Sequence, residues 1–176
     1  MDNLLVISAL GEDRPGIVNN LSATILEHGC SIADSRMSVL GGEFALILLV
    51  SGSWDAVAKL ENALPAAGKA LALTISFKRT EKRERAAPLV PYDIEVVSMD
   101  HTGIVHDVAD FLSSRDINIE TMDTETYSAA HTGTPMFSLT MRISIPGDTH
   151  IATLREEFTD FCDDLNLDAM MDPAKD

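Results

Sequence analysis

Apolar and polar positions along the chain alternate between strand-like and helix-like segments, and the same order runs twice. Residues 4–10 are short and mostly apolar, which predicts a buried strand. Ile17, Val18, Leu21, Ile25 and Leu26 recur at helical spacing, with Pro15 suited to the first turn and Gly29 to the stop. Residues 31–40 predict a strand, and Gly41-Gly42 a tight hairpin into a returning strand over 44–50. Ser53 suits the N-cap of a helix carrying Val57, Leu60, Glu61 and Leu64. Residues 71–77 alternate as a final strand, so the order is βαββαβ.

The second half repeats it. Strands are predicted over 92–98, 118–127 and 136–145, with a short last one over 167–171. Ile104, Val105, Val108, Phe111 and Leu112 form one helical stripe, and Ile151, Leu154, Phe158, Phe161 and Leu165 another. Asp13-Arg14-Pro15-Gly16-Ile17-Val18 returns 87 positions later as Asp100-His101-Thr102-Gly103-Ile104-Val105. That period is too long for a solenoid unit and right for a small domain. The second hairpin is longer, and shifting by its six-residue insertion aligns Phe44 with Phe137 and Leu46 with Leu139. The expected organisation is a domain over 1–80, a charged, proline-containing linker over 81–91, and a domain over 92–176.

The third strands differ between the copies. Phe137, Leu139, Met141, Ile143 and Ile145 alternate with polar residues, whereas residues 44–50 are apolar on both faces. A sheet with helices on one side leaves such a second face wet, so another surface is expected to cover it.

Charge narrows the function classes. Residues 1–85 carry nine Lys/Arg against ten Asp/Glu, and residues 86–176 four against eighteen; the nets of −1 and −14 make up the −15 of the chain. Phosphate backbones and anionic membranes repel such a chain, so neither nucleic acid nor membrane is an expected partner. A basic partner protein suits the acidic half better than the first half. The linker's basic residues are interspersed with Glu81 and Glu84 and fit a solvated connector. Cys30 and Cys162 suit reduced, structural thiols, and no secretory or membrane-spanning pattern stands out, so a cytoplasmic protein is expected.

The repeated Asp-x-x-Gly element sits where a strand ends and a helix begins. Free main-chain N–H groups and the positive end of the helix dipole favour an anion such as a carboxylate there. Gly16 and Gly103 let a ligand approach the backbone, and Asp13 and Asp100 can accept from an ammonium group. The combination fits an amino-acid zwitterion and not a phosphate, which the Asp would repel. A plain helix cap accounts for the same residues.

With these residues in place, the chain resembles the ACT domain in each half, through βαββαβ order and Asp-Arg-Pro-Gly-Ile-Val in the first copy, of which the second, Asp-His-Thr-Gly-Ile-Val, keeps the Asp, the Gly and the following apolar pair. Two such modules in tandem, with Thr132-Gly133-Thr134-Pro135-Met136-Phe137 in the second hairpin, resemble the glycine cleavage system transcriptional repressor family. The resemblance implies an α+β fold of two ferredoxin-like domains, each an antiparallel sheet with helices on one face. It also implies a regulator without its own DNA-binding domain, sensing a small amino acid, glycine, and contacting a transcription factor; homodimerisation is expected because domains of about 85 residues have modest cores. The ligand residues it implies are Asp13, Arg14, Gly16 and Asn19 in the first copy and Asp100, His101, Gly103 and His106 in the second.

No nucleophile elbow, P-loop or dinucleotide glycine motif appears, and no His/Cys spacing suits zinc. No enzyme, cofactor or metal is therefore expected. Asp100, His101, His106 and Asp107 are the one dense set of potential ligands, and Asp107 is expected to point away from His106. An allosteric subunit of an amino-acid biosynthetic enzyme, or a scaffold without ligand, stays open as an alternative.

Overall fold

The computed structural model describes residues 3–82 and 88–175. The chain divides into two compact units, Met1–Glu84 and Arg85–Asp176. Unit 1 holds β1 (Asn3–Glu12), α1 (Ile17–Glu27), β2 (Ser31–Leu40), β3 (Glu43–Gly52), α2 (Trp54–Leu71) and β4 (Thr74–Thr80). Unit 2 holds β5 (Leu89–Met99), α3 (Ile104–Ser113), β6 (Asn118–Ser128), β7 (Pro135–Pro146), α4 (Ile151–Asp164) and β8 (Asp168–Pro173). Each sheet is antiparallel with one order, β2-β3-β1-β4 and β6-β7-β5-β8. These are two ferredoxin-like α+β units.

The register carries the duplication into three dimensions. Phe44 pairs with Gly11 and Phe137 with Ser98; Leu46 pairs with Ala9 and Leu139 with Val96. The six-residue shift read from the sequence is therefore the length difference between the two hairpins. Both second strands also bulge at one place, between Ile32 and Asp34 and between Ile119 and Thr121.

In each unit one sheet face meets both helices. Leu5, Ile7, Phe44, Leu48 and Val50 pack with Ile17, Leu21 and Ile25 of α1 and Val57, Leu60 and Leu64 of α2. In unit 2, Ile94, Val96, Leu139 and Ile143 pack with Ile104, Val108 and Leu112 of α3 and Leu154 and Phe158 of α4. Burying one such aliphatic side chain is worth about 1.5–3 kcal/mol. Arg115 lies 3.8 Å from the Phe111 ring centroid and donates to Glu157, so a cation covers the aromatic edge of that core.

Several expectations need correction. Val18 and Leu26 belong to the predicted stripe but are 47% and 75% exposed, because positions i, i+4 and i+8 from Ile17 take the buried face. Pro15 lies before α1, and Gly16 occupies the N-cap. α2 runs through Pro65 to Leu71, so β4 begins at Thr74 instead of residue 71. The missed signal is the helix stop. The 6→1 main-chain bond that closes a helix recurs after all of α1 to α4, as Cys30 to Ile25, Leu73 to Gly68, Ile117 to Leu112 and Leu167 to Cys162. Only the first of these turns uses glycine, Gly29; Ala72, Asp116 and Asn166 hold the left-handed position in the others.

Of the linker expected over 81–91, residues 83–87 lie outside the described residues. Leu89, Val90 and Pro91 already pair with Pro146, Ile145 and Ser144 in β5. The Pro91 carbonyl accepts from Ala174, just beyond β8, so its missing N–H forfeits only the reciprocal bond at the very end of that ladder.

The outer sheet faces differ as the third strands suggest. In unit 1, Ala45, Ile47 and Leu49 lie beside Leu10, Ser8 and Val6, and Ile47 and Leu10 are about half exposed. In unit 2 the same side carries Asp93, Glu95, Thr140 and Arg142.

Candidate functional site

The β1–α1 turn of unit 1 is built from main chain. The Asp13 N–H donates to the Gly42 carbonyl at 3.0 Å, tying the turn to the tip of the β2–β3 hairpin. Gly16 then takes φ 94°, a left-handed conformation, and its carbonyl accepts the first helical bond from Asn20 at 2.9 Å. No side chain caps α1. The Asp13 carboxylate, which a cap reading requires on the helix N–H groups, does not occupy that role.

Around this turn lies an open crevice of about 560 Å³, lined by Asp13, Arg14, Gly16, Ile17, Val18, Asn19, Ser22, Met37 and Phe44. All four residues implied for the first copy therefore border one space. Asp13 and Arg14 are its only charged members. The Arg14 guanidinium also donates to the Leu71 carbonyl at the C-terminal end of α2, which fixes the positive charge beside the turn. Sequence reading missed Ser22, Met37 and Phe44. Ser22 follows Asn19 by three residues on α1. Counting back from the Gly41-Gly42 hairpin sets Met37 opposite Leu46, on the helix-facing side.

Unit 2 repeats the turn's main chain. Asp100 N–H donates to the Pro135 carbonyl at 2.9 Å, Gly103 takes φ 102°, and Asp107 N–H donates to the Gly103 carbonyl at 2.9 Å. α3 likewise has no side-chain cap. The side chains differ. His101 stands for Arg14 and donates from Nδ1 to the Thr102 carbonyl at 3.2 Å, and His106 stands for Asn19 and is exposed.

One further position was missed in both copies. A Cβ on Gly16 would meet the Asn20 Nδ2 at 3.7 Å, and one on Gly103 would meet the Asp107 Oδ2 at 3.5 Å. Asp107 thus lies beside its glycine turn. Each of these residues is one helical turn beyond its glycine, which is the signal that finds them.

Among the described residues, no three His, Cys, Asp or Glu side chains come together to hold a metal ion. No helix among them is long and apolar enough to cross a membrane. Both cysteines are buried, and burial pushes the Cys162 thiol up to about 11, with the Asp163 charge adding to it.

Comparison with known proteins agrees with this geometry. The ACT domain family model matches residues 3–78. The glycine cleavage system transcriptional repressor of Escherichia coli (strain K12) is 33% identical over 162 residues, covering 92% of this chain and 85% of that protein. The crystal structure of a candidate glycine cleavage system transcriptional repressor is 28% identical, with a TM-score of 0.74 over 100% of this chain and 99% of that one. A protein of unknown function from Galdieria sulphuraria is 27% identical, with a TM-score of 0.81 over 99% and 100%. The chain belongs to the glycine cleavage system transcriptional repressor family, and with its two ACT folds it is a regulatory protein rather than an enzyme.

Proposed function

We propose that this protein is a glycine-responsive regulator that acts on a transcriptional activator by direct protein contact, without binding nucleic acid itself. The observation that carries the reading is the uncapped α1 turn, whose helix N-terminus opens on a crevice with Asp13 beside it. A ligand carboxylate is favoured at such an N-terminus, and an ammonium group finds its acceptor in Asp13. The relative from Escherichia coli is named as a glycine cleavage system transcriptional repressor, which favours glycine as the ligand and repression as the outcome.

Ligand binding regulates only if it favours one state of the protein over another; reversing a 1:99 balance takes about 5.5 kcal/mol of differential affinity. The concentration of acidic residues in 86–176 suits a basic surface on the activator and repels DNA. The half-exposed Ile47 and Leu10 on the outer sheet face of unit 1 favour a homodimer that shields them.

Titration calorimetry with a panel of amino acids tests the ligand. Glycine is expected to give saturable heat that Asp13→Ala removes while the circular dichroism spectrum stays unchanged. Capture from cytosol on the immobilised chain, with and without glycine, tests the partner. A transcription factor whose recovery changes with glycine is the expected result; recovery of an amino-acid biosynthetic enzyme would replace this reading with the enzyme-subunit one.

A further inference from the structure

We propose that the outer sheet face of unit 1 is a self-complementary interface on which a second copy of this chain packs, related by a two-fold axis running along the strands. This rests on the homodimer in the reading above and adds which face forms it and with what symmetry.

The register lays out the face. Asp34 pairs with Leu49, Leu49 with Val6 and Val6 with Lys78, so the four stand in one row across the sheet. The middle strands β3 and β1 carry an apolar strip that includes Ile47 and Leu10, 49% and 51% exposed. Charge sits on the flanking strands, negative at Asp34 on β2 and positive at Lys78 on β4. Arg36 and the Ser35 N–H both donate to Asp34 Oδ1, which leaves Oδ2 to a further donor. No acid among the described residues pairs with Lys78.

A two-fold axis along the strands, midway between β3 and β1, makes these positions match. It lays β3 over the partner's β1 and β2 over the partner's β4. Leu49 then meets the partner's Val6, and Asp34 faces the partner's Lys78. Each pair occurs twice, as an isologous contact requires. Aligned sheets pack about 10 Å apart with their side chains interdigitated. A shallow hollow of about 230 Å³, bordered by Val6, Asp34, Arg36, Ile47 and Leu49, receives the aliphatic stem of the partner's Lys78. Glu12 and Glu43 pair past the end of the strip, at the rim, where water solvates them.

The area is sufficient. A four-stranded face with strands about 4.8 Å apart and about 30 Å long offers about 600 Å² per copy, and about 1,200 Å² for two meets the lower bound of stable interfaces. The outer face of unit 2 cannot do the same. It carries Asp93, Glu95, Asp123, Glu125 and Asp168 against Arg142, and a two-fold there would set carboxylate against carboxylate. The contact therefore belongs to unit 1 and closes after two copies.

Sedimentation equilibrium of the full chain tests the interface, with circular dichroism verifying the fold of each variant. The wild-type protein is expected to be a dimer. Ile47→Asp buries charge beside the axis and is expected to raise the dimer dissociation constant about a hundredfold or more. Lys78→Glu sets carboxylates opposite each other at both rims and weakens the dimer by about tenfold, and adding Asp34→Lys restores it. Within one sheet Asp34 and Lys78 are three strand spacings apart, about 14 Å. A carbodiimide-formed amide between them therefore joins two copies, and peptide mapping of the covalent dimer is expected to find it. A monomeric wild type, a dimer that Ile47→Asp leaves intact, or a charge swap that fails to restore the dimer would each overturn this interface. So would a covalent dimer without the Asp34–Lys78 link. Glycine heat in the titration above decides the ligand reading separately, whichever way the oligomeric state falls.

Discussion

The Asp13 main-chain N–H bonds to the Gly42 carbonyl at 3.0 Å, so the turn geometry that both copies share passes through the backbone of this residue and not its carboxylate. The carboxylate makes no intrachain hydrogen bond among the described residues. Asp13→Ala is therefore expected to change the unfolding free energy by less than about 0.5 kcal/mol, the range of ordinary surface substitutions. Urea denaturation measures it; a loss near 1 kcal/mol would be the signature of a lost helix cap.

Gly16→Ala and Gly103→Ala place a Cβ in a left-handed conformation without a close contact, since the nearest atoms are at 3.7 and 3.5 Å. Each is expected to destabilise its unit by about 1–2 kcal/mol through the backbone alone. The melting temperature of the affected unit falls by several degrees, and the two losses match because the φ values do.

Ala72 ends α2 at φ 51°, the position glycine fills after α1. Ala72→Gly relieves the left-handed penalty at the expense of a more flexible unfolded chain. The net is an expected gain of about 0.5–1 kcal/mol, read as a shifted urea midpoint.

A Cβ on Gly52 would stand 2.9 Å from the buried Cys30 Sγ. Gly52→Ala overpacks the junction of β3 and α2 and is expected to destabilise by about 1–3 kcal/mol. In a Cys30→Ala background the same substitution has room, so a double-mutant cycle shows the two changes costing less together than their sum.

Arg142 donates to both oxygens of Asp93, at 2.8 and 3.0 Å, and holds its carboxyl below the usual carboxylate range. The stabilisation is complete above the unfolded value, about 3.9, and is lost as pH falls through the lower folded value. Asp93→Asn is therefore expected to lose less stability than the wild type between pH 5 and about 2. Some acid sensitivity remains, because Arg79 depresses Glu61 in unit 1 in the same way. Denaturation midpoints across that range measure the difference.

Much of the fold was legible because its signals are local. The limits of β2 match the expected residues 31–40, and the Gly41-Gly42 hairpin joins Leu40 to Glu43 as expected. Where local signals were weak, reading failed in a consistent way. Leu71, Ala72 and Leu73 alternate like a strand, but they are the end of a helix and its left-handed turn, closed by a bond that alanine makes without advertising it. The candidate site was half legible. Asp13, Arg14, Gly16 and Asn19 are near neighbours in sequence and line one crevice, whereas Met37 and Phe44 reach it only through the hairpin.

The sequence by itself determined the βαββαβ order, its duplication and the two repeated turns, because hydrophobic period and glycine placement act over a few residues. Only tertiary structure decided that Val18 and Leu26 face outward, that Asp13 leaves its helix uncapped, and that Asn20 and Asp107 lie beside the two glycines. Those outcomes depend on how each helix is rotated on its sheet and on which main-chain partners the hairpin supplies. A packed set of distant segments settles both together.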